Sequence, residues 1–323
     1  WMAGLNRDSG QYYLWVHPLC DEATRIRLQQ WETLPAAENN AGWSLTRPFQ
    51  ARQTPDDFRA SVARIRAYIT AGDCYQVNLS QEFTAGFSGD AWQAFRALSE
   101  ANPTPHSAFI RQGKTSVLSV SPERFLQIRG RQVTTSPIKG TRRRGSNPRE
   151  DKRLAKELMH SEKDRAENLM IVDLLRNDLS RNAASGSVRV DGLFNLESYR
   201  NVHHLVSHIR CELADGVSPM KALLDAFPGG SITGAPKIRA MEIIRELEPH
   251  YRGPYCGSVF FRGLDDSLES NIAIRTLFCD GEGEIHCCGG GGIVADSDPD
   301  SEYRETLTKV KPLMDFLERS GSQ

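Results

Sequence analysis

The stretch AIRTLFCDGEGEIHCCGGGGIV, residues 273–294, decides the fold. Residues 273–279 and 284–288 are rich in apolar, β-branched and aromatic side chains, which predicts two strands, and DGEG between them predicts a tight turn. Strands joined by so short a connection pair antiparallel. Further strands, similarly spaced by short turns, are predicted at 115–120, 124–128 and 256–261. This spacing favours antiparallel sheets covered by helices, an α+β fold rather than a doubly wound one.

Composition excludes several classes of protein. The chain has 323 residues, 39% hydrophobic and 25% charged, which is typical of an ordinary globular protein. Its 40 basic residues nearly cancel its 41 acidic ones, so no global field favours nucleic acid or a membrane surface, and a small molecule is the expected partner. No apolar stretch approaches the roughly 18 residues of a membrane span, and no leader pattern opens the chain.

Cysteine usage indicates a reducing compartment. The seven cysteines are an odd number without a repeated spacing or a C-x-x-C pair. We interpret them as reduced, partly buried thiols and predict a cytoplasmic protein. Because the first residue is Trp1, we also expect that the natural start of the protein is missing.

The domain organisation is predicted from one break in the pattern. Residues 11–20 have the composition of a strand and 21–34 that of a helix, but the polar stretch Pro35 to Pro48 has the composition of a linker. We therefore predict a remnant of an N-terminal region plus linker at 1–48. A single continuous domain follows at 49–323.

Two acidic pairs are candidates for a metal site. Asp164 with Glu167, and Glu302 with Glu305, are each spaced i, i+3 near the start of a predicted helix, so each pair shares a helix face. Acids at a helix start also stabilise the helix dipole, and Ser161 with Asp164 fits a capping-box variant. If the pairs converge, however, four carboxylates require a cation, and an all-oxygen site suits magnesium.

Two glycine-rich segments are candidates for close contact with a ligand. GGSITGAPK at 229–237 has the spacing of a phosphate-binding loop, but Ala235-Pro236 replaces the required Lys-Ser/Thr, which argues against a nucleoside triphosphate as its ligand. Its hydroxyls and free amides still suit an anion at a helix start. The run Gly289 to Gly292 is longer than a plain turn needs, which favours a ligand lying against the backbone.

Other ionisable residues stand in strand-flanked turns that composition alone cannot interpret. Glu123 lies in SPERF (121–125) and Lys139 in SPIKGT (136–141), where an isolated charge is usually solvated surface. His203 and His204 are likewise compatible with a purely structural role as hydrogen-bonded residues at a strand edge.

Taken in order, the motifs resemble those of the chorismate-utilising enzymes, from about Phe58 to Lys311. The resemblance implies an α+β sandwich with helices outside two large, mainly antiparallel sheets, and it makes 49–323 the chorismate-binding catalytic domain. The matching segments are GDCYQVNL at 72–79, SPERF at 121–125, PIKGT at 137–141, AENLMIVDL at 166–174 with RND at 176–178, VHHLVS at 202–207, GSITGAPKIRAM at 230–241, and the glycine run with the acidic helix after it.

The resemblance implies a magnesium site. Glu167 and Glu305 match its metal ligands, with Asp164 and Glu302 as ligands through water or as close support. Magnesium would hold the ring carboxylate of chorismate.

The resemblance also implies roles around the substrate. Tyr255 and Arg275 match positions that bind the enolpyruvyl carboxylate, and an arginine fork suits carboxylate geometry. Glu123 matches the general acid that protonates the departing C4 hydroxyl, and His204 matches the histidine beside the ring. The remaining matches to substrate-contacting positions are Ser231 and the amides around Gly290 and Gly291.

Two positions discriminate among members of the family. Members that use water carry a general-base lysine where this chain has Gln76, so we interpret the chain as a user of ammonia. Anthranilate synthases share the glutamine but have alanine in place of Lys139. The lysine matches members that aminate C4 and keep the enolpyruvyl group, giving 4-amino-4-deoxychorismate for para-aminobenzoate and folate synthesis. A glutamine amidotransferase subunit, forming a heterodimer, is the implied ammonia source, and anthranilate synthase component I is the alternative.

The resemblance implicates Lys139 as a nucleophile, which sets a requirement on its charge. A lysine with a pKa of about 10.4 is only on the order of 0.1% neutral near pH 7.4. We therefore expect the site to lower the pKa of Lys139 or to accept its proton, through burial or through the cationic neighbours Arg142, Arg143 and Arg144.

Overall fold

A computed structural model describes residues 2–6, 11–15, 21–29, 42–199 and 202–321. The chain divides into two compact units, 1–41 and 42–323. In the smaller unit, β1 (Met2–Asn6) pairs antiparallel with β2 (Gln11–Trp15), and α1 (Glu22–Gln29) follows. The predicted strand at 11–20 and helix at 21–34 are confirmed over β2 and α1. Their remaining residues lie outside those that the structure describes.

The larger unit begins seven residues before the predicted boundary. Trp43–Ala51 form β3, which pairs antiparallel with β4 (Gln76–Gly89), so the last part of the predicted linker is a strand. Trp43, Leu45 and Phe49 pack against the apolar core. This packing stabilises the strand, although the segment has the polar composition of a linker. The register of β3 shifts between Arg47 and Gln50, beside Pro48, as expected where a proline cannot donate to a ladder.

Every pairing within the first sheet of the larger unit is antiparallel. Its order is β12-β4-β16-β15-β6-β5, with β3 also against β4. The strands not yet given are β5 (His106–Gln112), β6 (Thr115–Ser121), β12 (Gly234–Ala235), β15 (Thr276–Cys279) and β16 (Glu284–Ile293).

The second sheet is also wholly antiparallel, in the order β10-β11-β8-β7-β14-β13 with β9 against β11. The α+β fold with two antiparallel sheets is therefore confirmed. Its strands are β7 (Arg124–Arg129), β8 (Gln132–Thr135), β9 (Ile138–Arg143), β10 (Arg189–Ser198), β11 (Val202–Glu212), β13 (Phe260–Arg262) and β14 (Leu268–Asn271).

Helices cover the sheets, and two of them carry the acidic pairs. α5 packs on β9 and β11 of the second sheet, whereas α8 packs on β16 and β3 of the first. The helices of this unit are α2 (Pro55–Thr70), α3 (Ala91–Ala101), α4 (Pro148–Met159), α5 (Glu162–Ser180), α6 (Pro219–Ala226), α7 (Lys237–Leu247) and α8 (Pro299–Ser320). Within the described residues, none of the helices has the length and apolarity needed to cross a membrane.

Two predicted strands are shorter than expected. The 256–261 strand is reduced to β13 at 260–262, and the 273–279 strand begins only at Thr276. In the first, Cys256 has a φ of +62°, in the left-handed region that a non-glycine residue rarely adopts. The second is interrupted by a turn at Arg275, whose φ of +49° lies in the same region. This turn lies where the chain passes from the second sheet to the first.

Candidate active site

Glu123 and Arg275 lie where the chain crosses between the two sheets. Glu123 connects β6 of the first sheet to β7 of the second, and Arg275 connects β14 of the second to β15 of the first. The two crossings are hydrogen-bonded, since Ile272 N donates to Glu123 O (3.0 Å) and Val120 N donates to Arg275 O (3.1 Å). The predicted general acid and the predicted carboxylate-binding arginine are thus fixed on adjacent backbone.

Lys139 lies on β9 and is bonded to a predicted metal ligand. Its Nζ donates to Glu167 Oε1 at 2.6 Å, and the lysine side chain is only 17% exposed. Burial favours the neutral amine, but the charges of Glu167, Glu123 and Glu305 outweigh it and raise the pKa of Lys139 above its ordinary value. Three predicted site carboxylates are therefore close enough to act on one amine.

The expected effect of the neighbouring arginines on Lys139 is wrong. Arg142 pairs with Asp164 (3.1 Å), Arg143 pairs with Glu150, and Arg144 pairs with Asp151 (2.8 Å). The acidic partners of these arginines lie on helices α4 and α5, and they neutralise the arginine charges. In the chain alone, the surroundings of Lys139 are acidic and keep it protonated.

Glu123 has the properties of a proton donor. Burial raises the pKa of its carboxyl above the ordinary value, although Lys139, Lys309, Ser231 and Arg275 each act in the opposite direction. A carboxyl with a raised pKa retains its proton closer to neutrality, which is what a general acid requires.

His204 lies on β11, opposite Thr141 of β9. Its Nδ1 is 2.8 Å from Thr141 Oγ1, which holds the ring beside the strand that carries Lys139. Burial lowers the pKa of His204, and the charge of Arg275 lowers it further, so the ring is neutral near pH 7. His203, the other histidine of the motif, is buried between Ser198 and Asp151 and is structural.

The two acidic pairs lie in the first turns of α5 and α8, as the sequence predicts. Ser161 caps α5 by accepting from Asp164 N (3.3 Å), as the capping-box variant predicts. Convergence of the pairs across the two sheets is supported by Lys139, which is bonded to Glu167 and attracted by Glu305. A second cation, Lys163, acts on both Glu302 and Glu305.

Each of the four carboxylates has a partner within the protein. Glu167 binds Lys139, and Glu305 binds Lys309 Nζ at 2.7 Å. The other two are more committed to structure: Ser297 Oγ donates to buried Glu302 (2.7 Å), and Asp164 binds Arg142 while packing against Gly140. Gly140 has a φ of +81°, and a Cβ there would lie 2.9 Å from the Asp164 carboxyl carbon. Each of the two carboxylates predicted to bind magnesium directly is thus paired with a lysine.

These donors fit magnesium in kind. All are carboxylate oxygens, and magnesium in enzyme sites is commonly held by one or two carboxylates, the rest of its shell being water and substrate. Burial raises the pKa of Glu302, and the charge of Glu305 raises it further, a repulsion that a cation would relieve. The four do not, however, form one tight cluster of ligand atoms in the part of the chain that the structure describes.

The one group of at least three possible metal ligands gathered within 4.8 Å among the described residues lies elsewhere. It consists of Asp280, Glu284 and His286 at the turn between β15 and β16. Asp280 accepts from the amides of Glu282 and Glu284, and His286 Nδ1 contacts Glu82 (3.0 Å), so the turn itself accounts for the group. Along β16, Glu284 is seven residues from Gly291, about 23 Å at some 3.3 Å per residue.

The glycine run lies within β16 and faces the acidic helix. A Cβ at Gly291 would lie 3.3 Å from Glu302 Oε2 and 3.5 Å from Glu305 Oε1, and one at Gly290 would lie 3.0 Å from the Tyr255 hydroxyl. The glycines therefore leave the backbone bare between the predicted carboxylate-binding tyrosine and the predicted metal ligands.

Ser231 and Gln76 are both buried beside this strand. Ser231 lies in a three-residue 3-10 turn (Gly230–Ile232), and helix α7 begins at Lys237 with Pro236 as its cap. Gln76 is 1% exposed, and neither its amide oxygen nor its amide nitrogen has a partner among the described residues. Its Nε2 would lie 3.0 Å from a Cβ at Gly292. An unpaired buried amide is costly unless something else completes it.

Sequence reasoning missed Lys309. Its Nζ donates to Gly290 O (2.9 Å) and to Glu305, so it joins the glycine run to a predicted metal ligand. The signal was present, because Lys309 follows Glu305 by one helical turn.

Comparison with known proteins identifies the kind of protein that builds this site. The family model described as chorismate binding enzyme matches residues 3–315. The chain therefore belongs to that family, as the resemblance implied.

Two curated relatives share one name, and a solved structure has another. Aminodeoxychorismate synthase component 1 of Klebsiella aerogenes is 48% identical over 298 residues, covering 92% of this chain and 65% of that protein. The protein of the same name from Escherichia coli (strain K12) is 48% identical over 277 residues, covering 86% and 61%. Among solved structures, anthranilate synthase component I from Streptococcus pneumoniae TIGR4 has a TM-score of 0.86 at 31% identity, covering 97% of this chain and 71% of that one. The chain thus spans less than two thirds of the two curated relatives.

Proposed function

We propose that this chain aminates chorismate at C4 with ammonia to give 4-amino-4-deoxychorismate, retaining the enolpyruvyl group, with the larger unit as the catalytic domain. The observation that carries the proposal is the place of Lys139. The lysine that separates the two ammonia-using activities in sequence has its amine 2.6 Å from Glu167 and within the fields of Glu123 and Glu305. The names of the relatives at 48% identity support the same activity.

The residues divide the reaction into two displacements. Lys139, once neutral, attacks ring carbon C2, both ring double bonds shift by one position, and the C4 hydroxyl leaves as water with the proton of Glu123. Ammonia then attacks C4, both double bonds shift back, and the C2–nitrogen bond to Lys139 breaks. Arg275 and Tyr255 hold the enolpyruvyl carboxylate, and neutral His204 lies beside the ring. The surplus proton of the attacking ammonia restores the acid.

Magnesium is the proposed cofactor, held by Glu167 and Glu305 with Glu302 and Asp164 in support. When bound, it supplies positive charge for the ring carboxylate of chorismate and competes with Lys139 for Glu167. The two glutamates each pair with a lysine, which is consistent with a site that needs positive charge both with and without magnesium.

A separate glutaminase is the proposed source of ammonia. The six cysteines among the described residues are buried and unbonded, and burial raises the pKa of Cys211 to about 11 and that of Cys279 to about 12. Such thiols stay protonated and are poor nucleophiles. The sequence also lacks the Gly-x-Cys-x-Gly elbow expected of a glutaminase nucleophile.

Product analysis tests the proposal. The purified chain is incubated with chorismate, magnesium and either an ammonium salt or glutamine, and the products are separated by chromatography. We expect aminodeoxychorismate with ammonium and no product with glutamine alone. Anthranilate would instead establish the activity named for the Streptococcus pneumoniae relative, and turnover of glutamine by the unaccompanied chain would contradict the proposed partner.

A further inference from the structure

Arg252 forms a buried bridge beside the candidate active site. Its guanidinium donates to two backbone carbonyls, those of Ile232 (2.9 Å) and Asn78 (2.6 Å). It also forms a forked pair with Glu248, at 2.8 Å and 2.7 Å. The Glu248 side chain is 1% exposed, so this pair is almost wholly removed from water.

Glu248 fixes the bridge to the first sheet. Its Oε1 also accepts from Ser80 N (2.7 Å) and Ser80 Oγ (2.8 Å). A planar guanidinium held by both oxygens of a carboxylate has a defined orientation. Arg252 therefore presents its remaining donors in fixed directions rather than as a mobile charge.

The bridge joins three segments that each carry a predicted substrate-binding residue. Asn78 belongs to β4, two residues after Gln76, and Ile232 directly follows Ser231. Arg252 itself begins the turn that carries Tyr255, since Tyr255 N donates to Arg252 O (3.0 Å), and its guanidinium lies 6.0 Å from the centre of the Tyr255 ring. None of these contacts follows from spacing in the sequence.

We propose that Arg252 is a positioning residue that sets the distance between Ser231 and Tyr255, and so forms the subsite for the enolpyruvyl carboxylate. This inference rests on the proposed function. Arg252 acts through these two residues, because its own donors are directed to Ile232, Asn78 and Glu248.

Kinetics of Arg252→Met and Arg252→Lys test the proposal. Loss of contacts that hold the ground state and the transition state equally raises KM and leaves kcat unchanged, so we expect the KM for chorismate to rise at least about tenfold in Arg252→Met. The KM for ammonium and the kcat at saturating chorismate should stay within about threefold, because ammonia does not bind this carboxylate subsite. A lysine cannot reach both carbonyls from one nitrogen, so Arg252→Lys should raise the same KM by a smaller factor.

A double variant separates positioning from stability. Removing one partner of a buried pair is destabilising because it leaves an uncompensated charge. Glu248→Gln removes that charge, and its amide oxygen can still accept from Ser80 N. We expect Arg252→Met with Glu248→Gln to regain melting temperature but keep the raised KM for chorismate. The control is Arg111→Met, which breaks a pair with nearly buried Asp90 at the edge of the first sheet and should lower the melting temperature without changing KM.

The outcomes divide clearly. Recovery of KM together with melting temperature, an unchanged KM in Arg252→Met, or failure of every Arg252 variant to fold would each overturn the inference in favour of a purely structural role. If the wild-type chain does not consume chorismate, the proposed function fails and the inference fails with it. Wild-type turnover with an unchanged KM in the variants would remove this inference alone.

Discussion

Lys139 and Glu167 form an ion pair of 2.6 Å between strand β9 and helix α5. The pair joins the two features from which the function was inferred, because Lys139 distinguishes the reaction and Glu167 is a proposed metal ligand. The Glu167 carboxylate is therefore the proposed partner of two cations, the Lys139 amine and magnesium. A cation at Glu167 and a bond to Lys139 act against each other, which makes the two residues interdependent.

Glu167→Gln and Glu305→Gln should each reduce turnover by more than about a hundredfold, since loss even of an outer-shell partner of a metal costs 10–100-fold. The neutral amide keeps the size of the side chain but not its charge. In thermal unfolding, magnesium should raise the melting temperature of the wild type and not that of either variant, because only a ligand that binds the folded state stabilises it.

Glu302→Gln is the matched control for the metal site. A glutamine oxygen can still accept from Ser297 Oγ, and the raised pKa of Glu302 means that the folded state disfavours its charge, so we expect a smaller loss of turnover and a smaller loss of stability than for Glu305→Gln. Full activity of the wild type in excess chelator would contradict the metal requirement.

Glu123→Gln should reduce turnover by at least about a hundredfold, within the range general acids contribute, because an amide cannot protonate the leaving hydroxyl. The KM for chorismate should change little, as the carboxylate contacts remain. Glu123→Asp retains an acid at a shorter reach and should keep partial activity. Equal turnover of wild type and Glu123→Gln would assign the proton to another group.

Gly291→Ala should lower turnover with little loss of stability. The added methyl would lie 3.3 Å from Glu302 Oε2 and 3.5 Å from Glu305 Oε1, against the proposed metal ligands. Gly289→Ala is the neighbouring control, since its methyl would lie 2.7 Å from Val310 in the core and should mainly lower the melting temperature. A reversed pattern in turnover and melting temperature would refute the assignment of Gly291 to the site.

Glu150 should make stability depend on acid pH. Hydrogen bonds from Ser146 and the charge of Arg143 lower its pKa from 4.5 to about 2. A carboxyl with a depressed pKa in the folded state stabilises that state above its unfolded pKa, and the contribution is lost as pH falls from about 4.5 to about 2. Urea unfolding of Glu150→Gln at a series of pH values should show lower stability at pH 7 and a shallower decline over that window. Parallel curves for wild type and variant would rule this out.

Local pattern predicted much of the fold. The hairpin within 273–294 formed because its turn residues and strand residues agree at short range, and the acidic pairs lie on the helices that their capping residues predict. Strand β3 was not predicted because it is stabilised by packing of Trp43 and Leu45 against residues distant in sequence. The local spacing of apolar residues does not encode such contacts.

The resemblance named candidate site residues but not the contacts that connect them. Motif resemblance singled out Lys139, Glu123 and Arg275, and the structure places the last two on adjacent crossings between sheets. The pairing of Lys139 with Glu167, 28 positions away, and the bridge formed by Arg252 depend on tertiary contacts. The sequence favoured Arg142 to Arg144 as neighbours of Lys139 because they are close in number, although their partners are on helices.

The most direct test of the central claim is the mass of the chain after incubation with chorismate and magnesium without ammonia. Nucleophilic attack by Lys139 predicts an added mass equal to chorismate less one water, and ammonium should then remove it. Trypsin should leave the modified lysine uncut, so the mass should appear on the peptide covering residues 132–142. Lys139→Ala should form no adduct and should aminate chorismate more slowly. The control Lys163→Ala should still form the adduct and aminate chorismate at the wild-type rate. No adduct in the wild type, with undiminished amination by Lys139→Ala, would contradict the account and return anthranilate synthesis as the better interpretation.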